Sequence, residues 1–502
     1  MSQKYLSTRS SDKLISFEEA VMTGLAPDGG LYIPSAFASL PDLASWKDYS
    51  FQQVAFEILS LYISRDEISA DDLKKLVDAS YSTFRDPHVT PVKPLDRDRD
   101  LYLLELFHGP TYAFKDVALQ FVGNLFEYFL TRRNQGKAED DKSREHITVV
   151  GATSGDTGSA AIYGLRNKND VSVFILHPLG RISPIQEAQM TSVLDPNVHN
   201  LAVSGTFDDC QDIVKELFGD KQFNDRYHLG AVNSINWARI LAQISYYVYS
   251  YIQLGVPKVR YVVPTGNFGD ILAGYYAKRM GLPVESLVVA TNENDILDRF
   301  WKTGRYEKQK SADGSIAPVA ETYSPAMDIL VSSNFERLLW YLARENHCAS
   351  NEETGELVRS WMMDVKTKGA FEAPESVYKA AQEDFSSDRV SNETTIATIR
   401  NVYEKYDGYV LDPHSAVSVT AGMSLPPGIT TVCLCTAHPA KFAEAVDLAL
   451  KDVKGYDFEK VLPEDFKKLA TKEKRVIKVP AAKSELVKEI IVKELAKEGL
   501  SL

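Results

Sequence analysis

From Leu101 onward the sequence repeats one pattern: a short apolar run, a loop rich in glycine and hydroxyl residues, and a helix-spaced segment. HITVVGATSGDTGSAAIYGL and VRYVVPTGNFGDILAGYYAKRMG carry it in full, and VSVFILHP, VHNLAVSG, SLVVATN and TTVCLC supply further apolar strands. Strands alternating with helices in this way predict an α/β fold with largely parallel sheets. At 502 residues the chain far exceeds one core, and its length suggests about three domain-sized units.

Ahead of this region lies a mixed α/β lead-in. LISFEEAVMTGLAPDGGLYIP reads as a helix, a glycine-rich turn and a short strand, and FQQVAFEILSLYI is helical by spacing. DPHVTPVKPLDRDRD is rich in proline and charge and marks the expected boundary. The domains read as 1–95, a separate N-terminal domain, and 96–502, a catalytic region of two subdomains. Residues 298–320 are polar and without period, a surface loop; the region from Tyr323 to Glu404 reads as mostly helical, SPAMDILVSSNFERLLWYLARE most clearly. KSELVKEIIVKELAKEG is a charged amphipathic helix near the end of the chain.

Apolar content of 44% and charged content of 25% are those of an ordinary globular protein. A net charge of -13 argues against nucleic acid and anionic membranes as partners, so any anionic ligand must be caught by a local site. Cys210, Cys348, Cys433 and Cys435 have neither zinc spacing nor disulfide density, which predicts a reducing compartment and no metal site. With no apolar run of membrane-spanning length and no signal core at the start, the expected location is cytoplasmic.

Four stretches carry candidate chemistry. In HGPTYAFKD, Lys115 stands where a loop enters a helix, and the positive end of the helix dipole favours the neutral amine that attacks a carbonyl. The alternative is a surface lysine in a first helical turn. In GATSGDTG, Thr153, Ser154, Gly155, Asp156 and Thr157 offer hydroxyls and backbone N–H groups at a helix start, suited to a small carboxylate; a tight turn with an N-cap is the other reading. In PTGNFGD, Gly266 and Gly269 would let the backbone approach a monophosphate beside Asp270, or simply make a strand-to-helix turn. Thr436 follows the strand TTVCLC, at the carboxyl-end crevice if it is functional and as a plain strand-end residue if it is not.

In this order, HGPTYAFKD, GATSGDTGSAA, RISPIQEAQMT, NSINWARI, PTGNFGD and TAHPAKF, with the lead-in ISFEEAVMTGLAPDGGLYIP, resemble the threonine synthases of the longer fungal type, fold type II enzymes of pyridoxal 5'-phosphate. The resemblance covers essentially the whole chain. It implies that Lys115 is the catalytic lysine that holds the cofactor covalently. It implies further that Gly266, Asn267, Phe268 and Asp270 form the cofactor-phosphate loop and that Thr436 faces the pyridine nitrogen. The implied reaction turns O-phospho-L-homoserine and water into L-threonine and phosphate, the last step of threonine biosynthesis. Arg239, Arg181 and Lys441 lie inside the shared motifs and are candidates for the substrate's phosphate, Arg239 being equally a structural ion-pair partner. A serine or threonine dehydratase, a sulfhydrylase, or a silent relative that binds the cofactor without turnover are the competing readings, and an intact Lys115 speaks against the last.

Overall fold

A computed structural model describes residues 3–138 and 141–500; the outermost positions of both expected domains lie outside these residues. The chain forms two compact units. One comprises residues up to Val77, Phe84–His108 and Ser234–Val461; the other comprises Asp78–Thr83, Gly109–Asn233 and the residues from Leu462.

The first unit is built on a six-stranded sheet in the order Phe385–Arg389, Val284–Thr291, Val259–Pro264, Thr430–Cys435, Leu101–Glu105, Val92–Asp96. All neighbours are parallel except the last pair. Central strands such as Val259–Pro264 and Thr430–Cys435 are buried throughout, which is why they read as continuous apolar runs. Val92–Asp96, from the proline-rich stretch, is the antiparallel edge strand, where Pro94 forfeits no needed ladder bond. Phe385–Arg389, sequence FSSDR, edges the other side.

The lead-in adds a three-stranded antiparallel sheet of Tyr5–Ser7, Ser10–Ile15 and Tyr32–Pro34. Ser16 and Ser50 close capping boxes that start the helices Phe17–Thr23 and Phe51–Tyr62. This layer is fastened by buried side chains. Trp237 is wholly buried between Tyr5, Tyr62 and Tyr276, and the fully buried Arg337 donates to the carbonyls of Tyr32 and Ile235. Between Pro325 and Asn334 the chain makes one short 3-10 turn and irregular backbone, and the helix runs only over Phe335–Asn346. The helical reading of SPAMDILVSSN is therefore wrong, because Ser332, Ser333 and Asn334 give their hydrogen bonds to a neighbouring loop instead.

The second unit is a five-stranded all-parallel sheet: Ile477–Val479, Val198–Val203, Val171–Pro178, Ile147–Ala152, Leu229–Gly230. The C-terminal helix Ser484–Lys497 packs Val487, Ile491 and Leu495 onto its core with Leu201 and Leu217. Lys115–Arg133 crosses Asp156–Leu165 at glycines: a Cβ on Gly123 would stand 1.8 Å from the carbonyl oxygen of Gly164. That backbone-to-backbone approach sets the two helix starts, Lys115 and Asp156, beside each other. Among the described residues no helix is long and apolar enough to cross a membrane, and all four cysteines are free and buried.

Candidate active site

In the second unit Lys115 is the first residue of its helix, 8% exposed, on a loop drawn tight by one buried carboxylate. Asp116 accepts from the Thr111 N–H at 2.8 Å and its hydroxyl at 2.7 Å. A Cβ on Gly109 would come within 2.5 Å of Asp116 Cβ, so only glycine passes there. Gln189 donates to the Thr111 carbonyl at 3.1 Å, and the Tyr112 hydroxyl donates to Asp465 at 3.1 Å. The lysine is thus aimed by its neighbours.

Asp156 Oδ2 stands 3.7 Å from Lys115 Nζ. A charge pair near 4 Å is worth about 4 kcal/mol at a protein-like dielectric, against about 1 kcal/mol for a helix terminus. The attraction of this carboxylate therefore opposes the helix-dipole argument for a neutral amine.

Asp156 is itself held, since Gln186 donates to its Oδ1 at 3.2 Å. The buried Thr153 hydroxyl accepts from the N–H groups of Gly155 and Gly158 at 2.9 and 2.8 Å and so shapes the loop. Ser154 is exposed and Thr157 half-buried, and the Ser154 N–H has no acceptor among the described residues. Gly155 has φ 139°, and a Cβ there would lie 2.2 Å from Gln186 Oε1. Gly155→Ala is expected to cost about 1–3 kcal/mol of stability through the backbone alone and to push Gln186 off Asp156. A urea titration beside a turnover assay measures both; wild-type values in each would refute this reading of the loop.

In the first unit the loop Thr265–Phe268 follows the strand Val259–Pro264 and opens the helix Gly269–Arg279. Phe268 has φ 64°, is buried and stacks on Trp301. The loop's carbonyls are tied from behind: Ser332 Oγ donates to the Gly266 oxygen at 2.6 Å, and the Asn334 N–H and side chain both donate to the Asn267 oxygen at 3.0 Å. The N–H groups of Gly266, Asn267 and Phe268, in contrast, find no acceptor among the described residues. Consecutive free donors at a helix start form a cradle that fits a phosphate. The expected reason for Gly266 needs correcting. A Cβ there would meet the Met327 Cα at 3.0 Å and the Ala326 oxygen at 3.1 Å, so the glycine admits the protein's own backbone. At Gly269 a Cβ has ordinary contacts of 3.4 Å. Asp270 does not face the cradle with its Oδ1, which accepts from the hydroxyls of Tyr246 and Tyr247; burial raises its carboxyl to about 6, against the pull of both hydroxyls.

Thr436 ends the strand Thr430–Cys435, which lies next to Val259–Pro264 in parallel register, so Thr436 and the cradle share one carboxyl edge. Thr436 is 6% exposed. Arg239, in the first turn of Trp237–Leu254, and Lys441 are both buried, and burial lowers Arg239 to about 10. Arg181 is exposed in the second unit, where its charge helps lower Asp209. Sequence reasoning missed Gln186, Gln189 and the Ser332–Asn334 clamp; RISPIQEAQMT carried the only signal for the glutamines.

Three family profiles match the chain: "Threonine synthase N terminus" over residues 4–81, "Pyridoxal-phosphate dependent enzyme" over 85–354, and "Threonine synthase, C-terminal" over 415–491. Threonine synthase of Schizosaccharomyces pombe is 58% identical over 98% of each chain. The crystal structure of threonine synthase from yeast superposes with a TM-score of 0.93 at 57% identity, covering 99% of each chain. A pyridoxal-phosphate-bound threonine synthase from Brucella melitensis gives 0.88 at 41% identity, covering 98% of this chain and 99% of that one.

Proposed function

The chain belongs to the threonine synthases, fold type II enzymes of pyridoxal phosphate, and from this we propose that it converts O-phospho-L-homoserine and water to L-threonine and phosphate. One observation carries the assignment of its chemistry: Lys115 opens a helix beside Asp156 on a loop that Asp116 and Gln189 hold in place. Bound pyridoxal phosphate supplies an electrophilic carbon and a ring that takes up negative charge from the substrate's Cα. The unpaired N–H groups of Gly266, Asn267 and Phe268 hold its phosphate, and Asp270 braces that loop through the two tyrosines. Thr436 would offer the ring nitrogen a neutral hydroxyl.

Lys115 Nζ takes the proton from Cα and returns protons later in the cycle. Asp156 supports each protonated stage of that amine, and the exposed Ser154 with Thr157 binds the substrate carboxylate beside Gly155. Arg239 and Lys441 receive the substrate's phosphate, a need set by the chain's net charge of -13. Residues 1–95 serve as the family's N-terminal domain, residues 96–502 as the catalytic region, and the enzyme works in the cytoplasm.

The deciding experiment compares phosphate release from O-phosphohomoserine with ketoacid release from serine and threonine. Phosphate release at least about a hundredfold the faster is expected, because a site built around a phosphate leaves unpaired groups when the substrate lacks one. Dominant ketoacid formation would make the protein a dehydratase, and neither product would make it a silent relative.

A further inference from the structure

The loop Gly266–Phe268 leans on a turn of the same unit. With no Cβ on Gly266, the backbone of Ala326 and Met327 lies directly against it, so a movement of that turn passes to the loop with no side chain to absorb it. The turn, Pro325–Met327, is a 3-10 helix of three residues, too short to hold a shape of its own. It is held from outside. Asp328, next to it, accepts from Asn292, Asn294 and Thr322, and Ala326 in its middle donates its N–H to Nε2 of His414 at 3.1 Å.

The surroundings of His414 make it that acceptor. It lies in the first turn of the helix Pro413–Ser424, is 3% exposed, and its Nδ1 stands 2.8 Å from Oδ1 of Asp412, the residue that caps the helix. A carboxylate only accepts and a backbone N–H only donates, so the ring carries its proton on Nδ1 and keeps Nε2 bare toward Ala326. Asp412 is fixed in turn, accepting from the N–H groups of His414 and Ser415 and from the Ser415 hydroxyl. Phe442 packs on the imidazole with centroids 4.7 Å apart. Further along the helix, the Ser418 hydroxyl donates to the Leu434 carbonyl at 2.8 Å. That bond ties the helix to the strand Thr430–Cys435, neighbour of the strand from which the loop springs.

We infer that His414 is a positioning residue for the cofactor's phosphate: by accepting from Ala326 it sets the turn against Gly266, and with it the aim of the N–H groups of Gly266, Asn267 and Phe268. The inference rests on the reading of that loop as the phosphate cradle. Backbone donors bind an anion well only when they are aimed before it arrives, and a loop backed by another loop has no regular structure to aim it. His414 supplies the missing reference point by joining the turn to a helix anchored on the sheet.

Equilibrium dialysis of the full-length protein against pyridoxal phosphate and, separately, against pyridoxal measures what the phosphate adds to binding. His414→Gln keeps an acceptor near the place of Nε2, whereas His414→Asn keeps a donor for Asp412 and leaves Ala326 without its partner. The Asn variant should bind pyridoxal phosphate about tenfold more weakly than wild type and pyridoxal within about twofold, while the Gln variant stays within about threefold for both. Ser418→Ala loosens the same helix without touching the turn; it should lower the melting temperature and leave both affinities within about twofold. An equal loss of both ligands in the Asn variant, a loss in Gln as large as in Asn, or a matching loss in Ser418→Ala would reduce His414 to packing and overturn the inference. Hydrogen exchange on the wild type decides the case in which the Asn variant misfolds. Pyridoxal phosphate should slow exchange across residues 325–328 at least about threefold more than pyridoxal does, and equal exchange refutes the inference. A wild type that binds pyridoxal as tightly as pyridoxal phosphate removes the cradle and the role of His414 with it, whereas a preference for the phosphate that survives intact in the Asn variant removes His414 alone.

Discussion

Lys115→Ala is expected to lower phosphate release from O-phosphohomoserine at least about a thousandfold, the range covered by loss of a positioned acid-base group. The variant should fold. Lys115 sits at a helix start, and the loop ahead of it is organised by hydrogen bonds of Asp116 and Gln189 to Thr111 that do not involve the amine. What the variant leaves behind is Asp156 without its cation 3.7 Å away, which costs some stability and shows as a lowered melting temperature. The cofactor should still bind through the cradle at Gly266–Phe268, so its visible absorbance should be altered in position more than in amount. Lys115→Arg separates charge from chemistry: it keeps a cation for Asp156 and should restore the melting temperature while staying inactive, since a guanidinium does not give up its proton. Turnover near wild type in the folded Ala variant would remove Lys115 from the catalytic role.

Repetition of strand, loop and helix made the parallel sheets legible, because strands buried on both faces have no polar alternation to confuse them with anything else. Several of the strands that escaped notice stand at edges. Phe385–Arg389 and Val92–Asp96 are polar or carry proline, and a strand paired on one side tolerates both. Ser10–Ile15 is likewise polar and became a strand through its partner Tyr5–Ser7. Positions of candidate residues were legible to the extent that strand ends and helix starts were, as for Lys115 and Thr436. Their orientation was not. Whether Asp270 faces a phosphate or two tyrosines depends on neighbours on the preceding helix, which no local spacing encodes, whereas Thr153 turns to Gly155 and Gly158 of its own loop. Gly266 makes the same point, being required by Ala326 and Met327 some sixty residues on.

Thr436 gives the second large effect. It stands just past the end of a fully buried strand, at the carboxyl edge it shares with the loop 265–268. Thr436→Ala removes one hydrogen-bonding group and about a methyl group of packing. It should lower kcat about tenfold to a hundredfold with little loss of cofactor, on the proposed assignment of Lys115 and the loop 266–268 to cofactor binding. Thr436→Ser keeps the hydroxyl and should stay within about threefold of wild type. Thr436→Asp meets a further constraint. Cys435 before it and His438 after it both feel the charges of Glu105 and Asp412, and His438 feels those of His108 and Arg85 as well, so charges of both signs surround the introduced carboxyl. Burial raises its pKa, so it is neutral at low pH and ionises as pH rises. Its ionised form favours a protonated pyridine and a stronger pull on the substrate's electrons. The cofactor spectrum and the ratio of ketoacid to threonine formed should therefore change with pH in Thr436→Asp and stay flat across the same range in Thr436→Ala. Spectra and product ratios for the three variants, taken at matched pH, decide the matter: an Ala variant indistinguishable from wild type in both would make Thr436 a strand-end residue and nothing more.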